Sequence, residues 1–409
     1  MMRGGRVAVV GGSIAGCAAA LAAHRGGADE ITVYERAAGD LADRGVGLAV
    51  HDSRYVELES AGYLDAGMPW VQLVRRRWYV RDDAVTSPVG REIAVMPFPF
   101  RTYNWGPLRR ELRGRLPRSV DFRAGTTVRA VLPGAGGVEV ATDAGSAHHD
   151  LVIGADGYRS AVRAARFGDV RPAYAGYLAW RGAFPEARLD EPERWAGDDC
   201  VYAVFPGGHV IIYRIPDGAG GHRVNWVLYT APPPDLDLGL GRDLRLTGPT
   251  SLPPGSLTKA LADHLAYVAD ELLPPYWGAL LRETAPDELF LQPMYDFTAP
   301  RCTADGVLLT GDAAAVARPH TGAGAVKALQ DATALEAALT ASDTWSQALA
   351  RYDADRTASG RAMVELGRRL GDAFVRATPD WRAMDQSAME SWWRQADGSG
   401  AFGGRGLKR

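Results

Sequence analysis

Apolar positions along the chain follow two rhythms. Val7 to Val10, Ile31 to Tyr34, Asp150 to Ile153 and Val307 to Thr310 are short, nearly continuous apolar runs. That is the pattern of strands covered on both faces of a parallel sheet. From Tyr174 to Tyr229 the pattern alternates, in runs such as VYAVFPGGHVIIYRIP and VNWVLYT broken by Gly and Pro. Alternation of this kind predicts an antiparallel sheet. Segments 71–80 and 84–95 also read as strands, and Asp121 to Ala141 as short strands with glycine turns. Helices are predicted over the alanine-rich Ala15 to His24, over 52–66, over Pro107 to Leu116 with Pro in its first turn, over 257–272 and 276–283, and from Gly324 and Thr344 onward. Ser160 is placed to cap a further helix. Ala231 to Ser256 is rich in Pro, Gly and Leu without a period, and reads as a long loop that can serve as a lid. Trp381, Trp392 and Trp393 stand in a polar, glycine-containing tail, and so should dock on this chain or on a second subunit.

The buried-strand pattern occurs at the start, near 150 and again near 310, with the alternating region between the last two. The predicted fold class is therefore α/β: a Rossmann-like parallel-sheet domain interleaved with a mainly antiparallel substrate domain, and C-terminal helices. The expected division is 1–70, 97–172 and 288–375 for the first, 71–96 and 173–287 for the second, and 376–409 for the tail.

Composition narrows the picture. A chain of 409 residues has room for two or three cores. A net charge of −3 gives no reason to expect nucleic acid or an anionic membrane as partner. No apolar run approaches the roughly 20 residues of a membrane helix. Strand begins by Val7, so no leader peptide is expected. The 3 cysteines, Cys17, Cys200 and Cys302, lie far apart. They read as buried thiols in a reducing cytoplasm, with no metal-ligand spacing.

The first motif is RVAVVGGSIAGCAAALAAHRGGADEITVYER, Arg6 to Arg36. It gives strand, turn, helix and strand, with Glu35 about 20 residues past the turn. The turn presents backbone N–H groups at a helix N-terminus, where a pyrophosphate is stabilised. Gly11 and Gly16 fill the first and third glycine positions, and Ser13 takes the second. By itself this stretch fits NAD, FAD or a plain crossover. Two further motifs follow. DLVIGADGYRSAVR puts Asp156 and Gly157 at a strand end before a helix, and GVLLTGDAAAVARPHTGAGAVKALQDA does the same for Gly311 and Asp312. An acid at a strand's carboxyl end faces the ligand crevice of an open α/β sheet, where Asp312 can accept hydrogen bonds from a polyol.

With these three motifs in order, the chain resembles the class A FAD-dependent aromatic hydroxylases, of the para-hydroxybenzoate hydroxylase fold. The resemblance covers roughly residues 6–370. Within that family it is most similar to the 2,6-dihydroxypyridine 3-hydroxylase branch, on GGSIAG, AYAGYLAWRG at 173–182, GGHVIIYRIP at 207–216 and RPH at 318–320. The resemblance implies that Gly11, Ser13 and Gly16 line the FAD pyrophosphate and that Glu35 holds the adenosine ribose. It adds Arg36, Arg44, Arg109 and Val128 to the FAD set, gives Asp156 a supporting role, and puts Asp312 on the ribityl chain. Pro319 to Gly324, including Gly322 and Ala323, would pass beside the isoalloxazine. Ala315 stands where many relatives carry His after GDAA. The implied reaction uses NADH or NADPH as transient reductant, O2, and a hydroperoxide at flavin C4a that hydroxylates an electron-rich hydroxypyridine-like or phenol-like ring. Such chemistry needs a dry chamber and a deprotonated or hydrogen-bonded substrate hydroxyl. A homodimer or higher homo-oligomer is a further implication.

Each candidate polar group has an ordinary reading beside its functional one. His320 can exchange a proton with substrate or flavin, or simply bond to backbone in its loop. His51 follows the RGVGLAV strand and is a substrate candidate, or a surface turn residue. Arg181 can pair an anionic substrate or form an ion pair at the domain junction. Tyr213, Trp180 and Trp226 can line the substrate, or belong to sheet core. Pro319 stiffens the loop. His148 and His149 face opposite ways on a strand and do not make a ligand pair. Arg75 to Arg77 read as a solvated strand edge. A halogenase is disfavoured, since no W-x-W-x-I-P occurs. A flavin-dependent reductase and a non-catalytic FAD-binding sensor remain as alternatives.

Overall fold

The computed structural model describes residues 4–39, 47–134, 136–168, 170–233, 252, 255–398 and 400–404. In chain order the first elements are β1 (Arg6–Val10), α1 (Ile14–Arg25), β2 (Glu30–Glu35), β3 (Gly47–His51), α2 (Asp52–Ser60), β4 (Val71–Val80), β5 (Arg91–Asn104) and α3 (Trp105–Gly114). Then come β6 (Val120–Ala124), β7 (Val128–Gly134), β8 (Gly137–Thr142), β9 (Gly145–His149), β10 (Leu151–Gly154) and α4 (Ala161–Arg166). The middle of the chain supplies β11 (Ala173–Pro185), β12 (Asp199–Phe205), β13 (Gly208–Pro216), β14 (His222–Thr230), α5 (Lys259–Tyr267), α6 (Pro275–Arg282) and β15 (Phe290–Thr298). The last elements are β16 (Thr303–Ala304), β17 (Val307–Leu309), β18 (Ala315–Val316), α7 (Gly324–Thr340), α8 (Trp345–Gly371) and α9 (Gln386–Asp397).

The continuous apolar runs form one sheet, ordered β16-β17-β10-β1-β2-β6. Its strands are parallel except for β16. Ten successive residues of α1, Ile14 to Ala23, are buried. A helix so rich in alanine can lie close both to the sheet and to α7. The alternating runs form a nine-stranded sheet, ordered β18-β15-β11-β14-β13-β12-β4-β5-β3. It is antiparallel except where β12 pairs with β4. Strands β7, β8 and β9 make a third, small sheet.

Side-chain parity divides the nine-stranded sheet into two faces. Leu178, Trp180, Phe184, Val224, Trp226 and Leu228 pack outward under α5 and α6. Tyr177, Ala179, Tyr202, Tyr213, Val227 and Tyr229 pack inward, against the end of α8 and the tail. The inner face therefore looks toward the chemistry, and the outer face is ordinary core.

Several elements differ from their sequence-based expectation. β5 begins at Arg91, after turns that end in Gly90 at φ +82°, and runs on to Asn104. β3, the end of β5 and β15 join the large sheet rather than the nucleotide layer. α2 stops at Ser60, where Gly62 takes φ +71°. Most of the 231–256 loop lies outside the described residues. Arg75 to Arg77 are not a solvated edge, because β4 lies between β12 and β5. Arg75 and Arg77 donate to Asp199 at 2.8 and 2.5 Å. Arg76 points inward and is only 2% exposed, with Trp393 over its guanidinium at 3.8 Å. The tail tryptophans dock on this chain: Trp381 donates its indole N–H to the Phe205 carbonyl, and Trp392 packs edge-on to Trp78. Among the described residues no helix is long and apolar enough to cross a membrane.

Candidate active site

The glycine turn after β1 is built from backbone. Gly11 has φ +105°, and an added Cβ would lie 2.4 Å from the Ala155 carbonyl oxygen. At Gly16 an added Cβ would lie 1.8 Å from the carbonyl oxygen of Gly11. Both positions require glycine for the turn and helix to approach this closely. Ser13 is the N-cap of α1, but its side chain makes no capping bond. The first N–H groups of the helix are thus left for an anionic ligand. Glu35 ends β2 and accepts from Gly12 N–H at 2.7 Å and Ala37 N–H at 2.8 Å. The Arg109 Nε–H donates to the Gly12 carbonyl at 2.9 Å, bracing the turn from α3.

A second turn, Gly311–Ala313, follows β17 and carries Asp312. Water reaches Asp312, yet protein surrounds it deeply. That enclosure pushes its carboxyl up, against the lowering pull of Lys327. Beneath the turn is a buried charge cluster. Asp331 accepts from Gly311 N–H at 2.8 Å, Lys327 Nζ at 2.8 Å and Arg356 Nε at 2.7 Å. Burial favours the neutral Asp331, but the two cations hold its carboxyl below the usual range. Lys327 also donates to the Gly311 carbonyl at 3.1 Å, so the cluster fixes the turn that aims Asp312.

The loop from Arg318 to Ala323 joins the layers. Pro319 opens the short turn Pro319–Thr321, Gly322 follows at φ +61°, and Ala323 is the N-cap of α7 without a side-chain cap. A Cβ on Gly324 would meet nothing within 4 Å. A second uncapped helix N-terminus thus stands in the same layer as the first. An anchoring ion pair holds the loop's start: Arg318 reaches Asp296 at 2.8 Å. His320 turns inward, and its Nε2 lies 2.8 Å from the Tyr177 hydroxyl. Its ring centre is 4.3 Å from Tyr229 and 5.3 Å from His209. Burial, with His209, Arg318 and Arg181 nearby, holds its pKa well below the ordinary imidazole value.

The inner sheet face collects Arg181, Tyr213, Asn225 and Tyr229. Arg181 is half-buried and donates from Nε to Gln292 at 3.0 Å. No carboxylate pairs with it among the described residues, so they do not supply the junction ion pair that is one of its two readings. Burial raises the Tyr213 phenol, and Arg181 opposes that rise. Gly47 donates its N–H to Asn225 Oδ1 at 2.9 Å, and a Cβ there would lie 2.7 Å from the Tyr213 hydroxyl.

Other sequence candidates go elsewhere. Trp180 and Trp226 are substrate candidates that the structure overturns: both pack into the outer-face core, and Trp226 donates to Thr284 at 2.8 Å. The period of two along β11 and β14 puts them on the wrong side of the sheet from His320. His51 is the N-cap of α2, its Nδ1 accepting from Ser53 N–H at 3.1 Å, which matches the turn-residue reading. The Asp156 carboxylate caps α4, accepting from Ser160 Oγ at 2.5 Å and Ala161 N–H at 2.7 Å. Arg36 is exposed at the end of β2, and Val128 opens β7, half-buried. Arg44 lies outside the described residues. His149 pairs with the Tyr34 hydroxyl at 3.2 Å, and burial pushes its pKa down to about 4.

Sequence reasoning missed His209, Asn225 and Gln292 as site residues, and Lys327 and Arg356 as supports. The signal for His209 was present: it shares parity with Tyr213 in GGHVIIYRIP. Lys327 and Asp331 stand four apart on one helix, the spacing of a helical ion pair.

The donor set fits a dinucleotide with a long polyol: two uncapped helix N-termini, an acid closing β2, and a water-reached acid on the Gly311–Ala313 turn. Comparison with known proteins agrees. Residues 271–366 match the FAD binding domain family, and residues 174–296 match an FAD binding domain-like family. The chain is 30% identical to 2,6-dihydroxypyridine 3-monooxygenase of Paenarthrobacter nicotinovorans, covering 89% of this chain and 90% of that protein. It is 29% identical to 3-amino-4-hydroxybenzoate 2-monooxygenase of Streptomyces cremeus, covering 90% and 87%. The solved structure of 2,6-dihydroxypyridine-3-hydroxylase from Arthrobacter nicotinovorans superposes with a TM-score of 0.79 at 26% identity, covering 92% of this chain and 94% of that one. A salicylate hydroxylase substrate complex shares the fold, with a TM-score of 0.74 at 20% identity, covering 98% and 96%. With turns that fit a dinucleotide meeting a polar inner sheet face, the chain belongs to the class A FAD-dependent aromatic hydroxylases and is an FAD-dependent monooxygenase.

Proposed function

We propose that this chain hydroxylates a small, electron-rich aromatic ring of hydroxypyridine or phenol type, bound between the 318–324 loop and the inner sheet face. The observation that carries this reading is Arg181. It is a half-buried cation without a carboxylate partner among the described residues, on the same face as Tyr213, Tyr229 and His320. Bound FAD, reduced by NADH or NADPH, would supply an activated oxygen atom from O2.

The chain's own groups do the rest. Gly11, Ser13 and Gly16 would hold the pyrophosphate by backbone, Glu35 the ribose, and Asp312 the ribityl chain. Gly322, Ala323 and Gly324 would present N–H groups to the pyrimidine edge of the ring system, where a helix N-terminus stabilises negative charge. Arg181 would stabilise an oxyanion on the substrate ring, which makes the ring a better nucleophile. Tyr213 would orient that oxygen. The aromatic inner face, closed by Phe374 and the tail, would exclude water. Three buried free thiols support a cytoplasmic setting.

The test is substrate-stimulated oxidation of NADH or NADPH, scanned over hydroxypyridines and phenols. Stimulation with a hydroxylated product is expected. Arg181→Gln should raise KM for ionisable rings by about tenfold or more, the effect of losing a charge-assisted hydrogen bond. Stimulation that yields a saturated product without O2 would replace this reading by a reductase.

A further inference from the structure

The inner face holds more hydrogen-bonding capacity than it uses. His209 is fully buried; only the Phe374 backbone approaches its ring as a hydrogen-bonding group, and neither ring nitrogen reaches a partner at full hydrogen-bond geometry among the described residues. His320 is 4% exposed, and its Nδ1 is also without one. Buried polar atoms are nearly always paired, so three imidazole nitrogens without a well-formed hydrogen bond in one cluster call for an explanation. Tyr177, Tyr229 and Tyr202 face the two rings from the sheet, and Arg318 and Arg181 are the charges near His320. No carboxylate is among the groups that shift either imidazole. Burial pushes His209 down to about 3. Both rings are therefore neutral at ordinary pH, and each carries one donor and one acceptor.

One ring covers them. Phe374 lies 4.4 Å from His209, and it stacks on His320 at 5.8 Å with an interplanar angle of 13°. It sits on the π-helical turn, Asp372–Arg376, that ends α8. Trp392 packs edge-on behind it at 5.1 Å.

We propose that His209 and His320 are a neutral reader for the substrate's polar edge, and that Phe374 stands where the substrate ring binds, turning aside to admit it. This rests on the reading that the substrate lies on the inner sheet face. The ligand such a reader takes is a ring whose edge toward the imidazoles is uncharged and carries adjacent donor and acceptor atoms, as in a hydroxypyridine or its pyridone tautomer, with any ring oxyanion turned to Arg181. An aromatic carboxylate can still meet Arg181 but gains less from the two imidazoles, since neither is charged. His209 is then a specificity-determining residue, and Phe374 a gate.

The experiment is a binding titration on the oxidised holoenzyme, followed by perturbation of the flavin absorption, with 2,6-dihydroxypyridine and salicylate as probes. In the unaltered protein, 2,6-dihydroxypyridine should bind the tighter, with an affinity constant between pH 5.5 and 8 once the probe's own ionisation is corrected. His209→Phe keeps the stacked ring and removes both nitrogens. It should weaken 2,6-dihydroxypyridine by about tenfold, the effect of one buried hydrogen bond, and leave salicylate nearly unchanged. His209→Gln should recover part of that loss. Phe374→Ala should speed association of both probes. Equal weakening of both probes, or none, in His209→Phe would overturn the proposal. If the unaltered protein binds neither probe and no ring stimulates NADH or NADPH oxidation, it is the functional reading that fails instead.

Discussion

Two buried polar clusters lie on either side of the 318–324 loop, and they are built on opposite terms. Under the Gly311–Ala313 turn, Asp331 is paired with both Lys327 and Arg356 and accepts a backbone N–H as well. On the inner sheet face, three nitrogens of His209 and His320 are open. The first cluster is charged and satisfied; the second is neutral and unsatisfied. Burial is the same in both, so burial alone does not mark a site. Unused hydrogen-bonding capacity does. The paired cluster holds backbone in place for a ligand, and the open one is free to meet a ligand.

That contrast can be broken experimentally. Asp331→Asn leaves two buried cations short of a carboxylate. It should destabilise the fold by about 3–5 kcal/mol, read from urea unfolding, and weaken FAD retention through the Asp312 turn. Gly16→Ala forces a Cβ onto the Gly11 carbonyl. Overpacking there should cost about 1–3 kcal/mol, with flavin content falling further than stability does. Tyr177→Phe removes the side-chain partner that His320 has among the described residues and should cost about 1 kcal/mol. His209→Phe, by contrast, should leave stability at pH 8 within about 0.5 kcal/mol, because it deletes nitrogens that make no well-formed hydrogen bond.

Acid sharpens the same contrast. The folded-state values of His209 and His149, about 3 and about 4, lie below the ordinary 6.5. The unfolded chain therefore takes up these protons first, so stability from both groups is intact above pH 6.5 and lost as pH falls toward 3. His209→Phe should flatten that loss, measured as the slope of unfolding free energy between pH 6.5 and 4. An unchanged slope would mean that His209 is not held neutral by the fold.

What could be read from the sequence follows the same division. The nucleotide turns were legible because they are local: strand, glycines, helix and acid stand in one stretch, and Gly11 and Gly16 are dictated by backbone geometry. The inner face was only partly legible. Arg181, Tyr213 and His320 could be named, but they meet only when β11, β13 and the loop come together. Trp180 and Trp226 stayed open between substrate and core because alternation gives two faces without saying which is which. Register and the position of α5 and α6 decide that, and both are long-range. Arg75 to Arg77 misled for the same reason, since no local pattern shows that β4 pairs with β12 as well as β5. His209 carried the right parity, yet its significance lies in what does not bond to it.

The most direct test of the account is a single-turnover experiment. The purified holoenzyme is reduced anaerobically with NADH or NADPH in the presence of 2,6-dihydroxypyridine, then mixed with isotopically heavy O2. Accelerated flavin bleaching, followed by a ring product carrying one heavy oxygen atom, is the predicted result. Bleaching that the ring does not accelerate, with the heavy oxygen recovered only as peroxide for every hydroxypyridine and phenol tried, would contradict it.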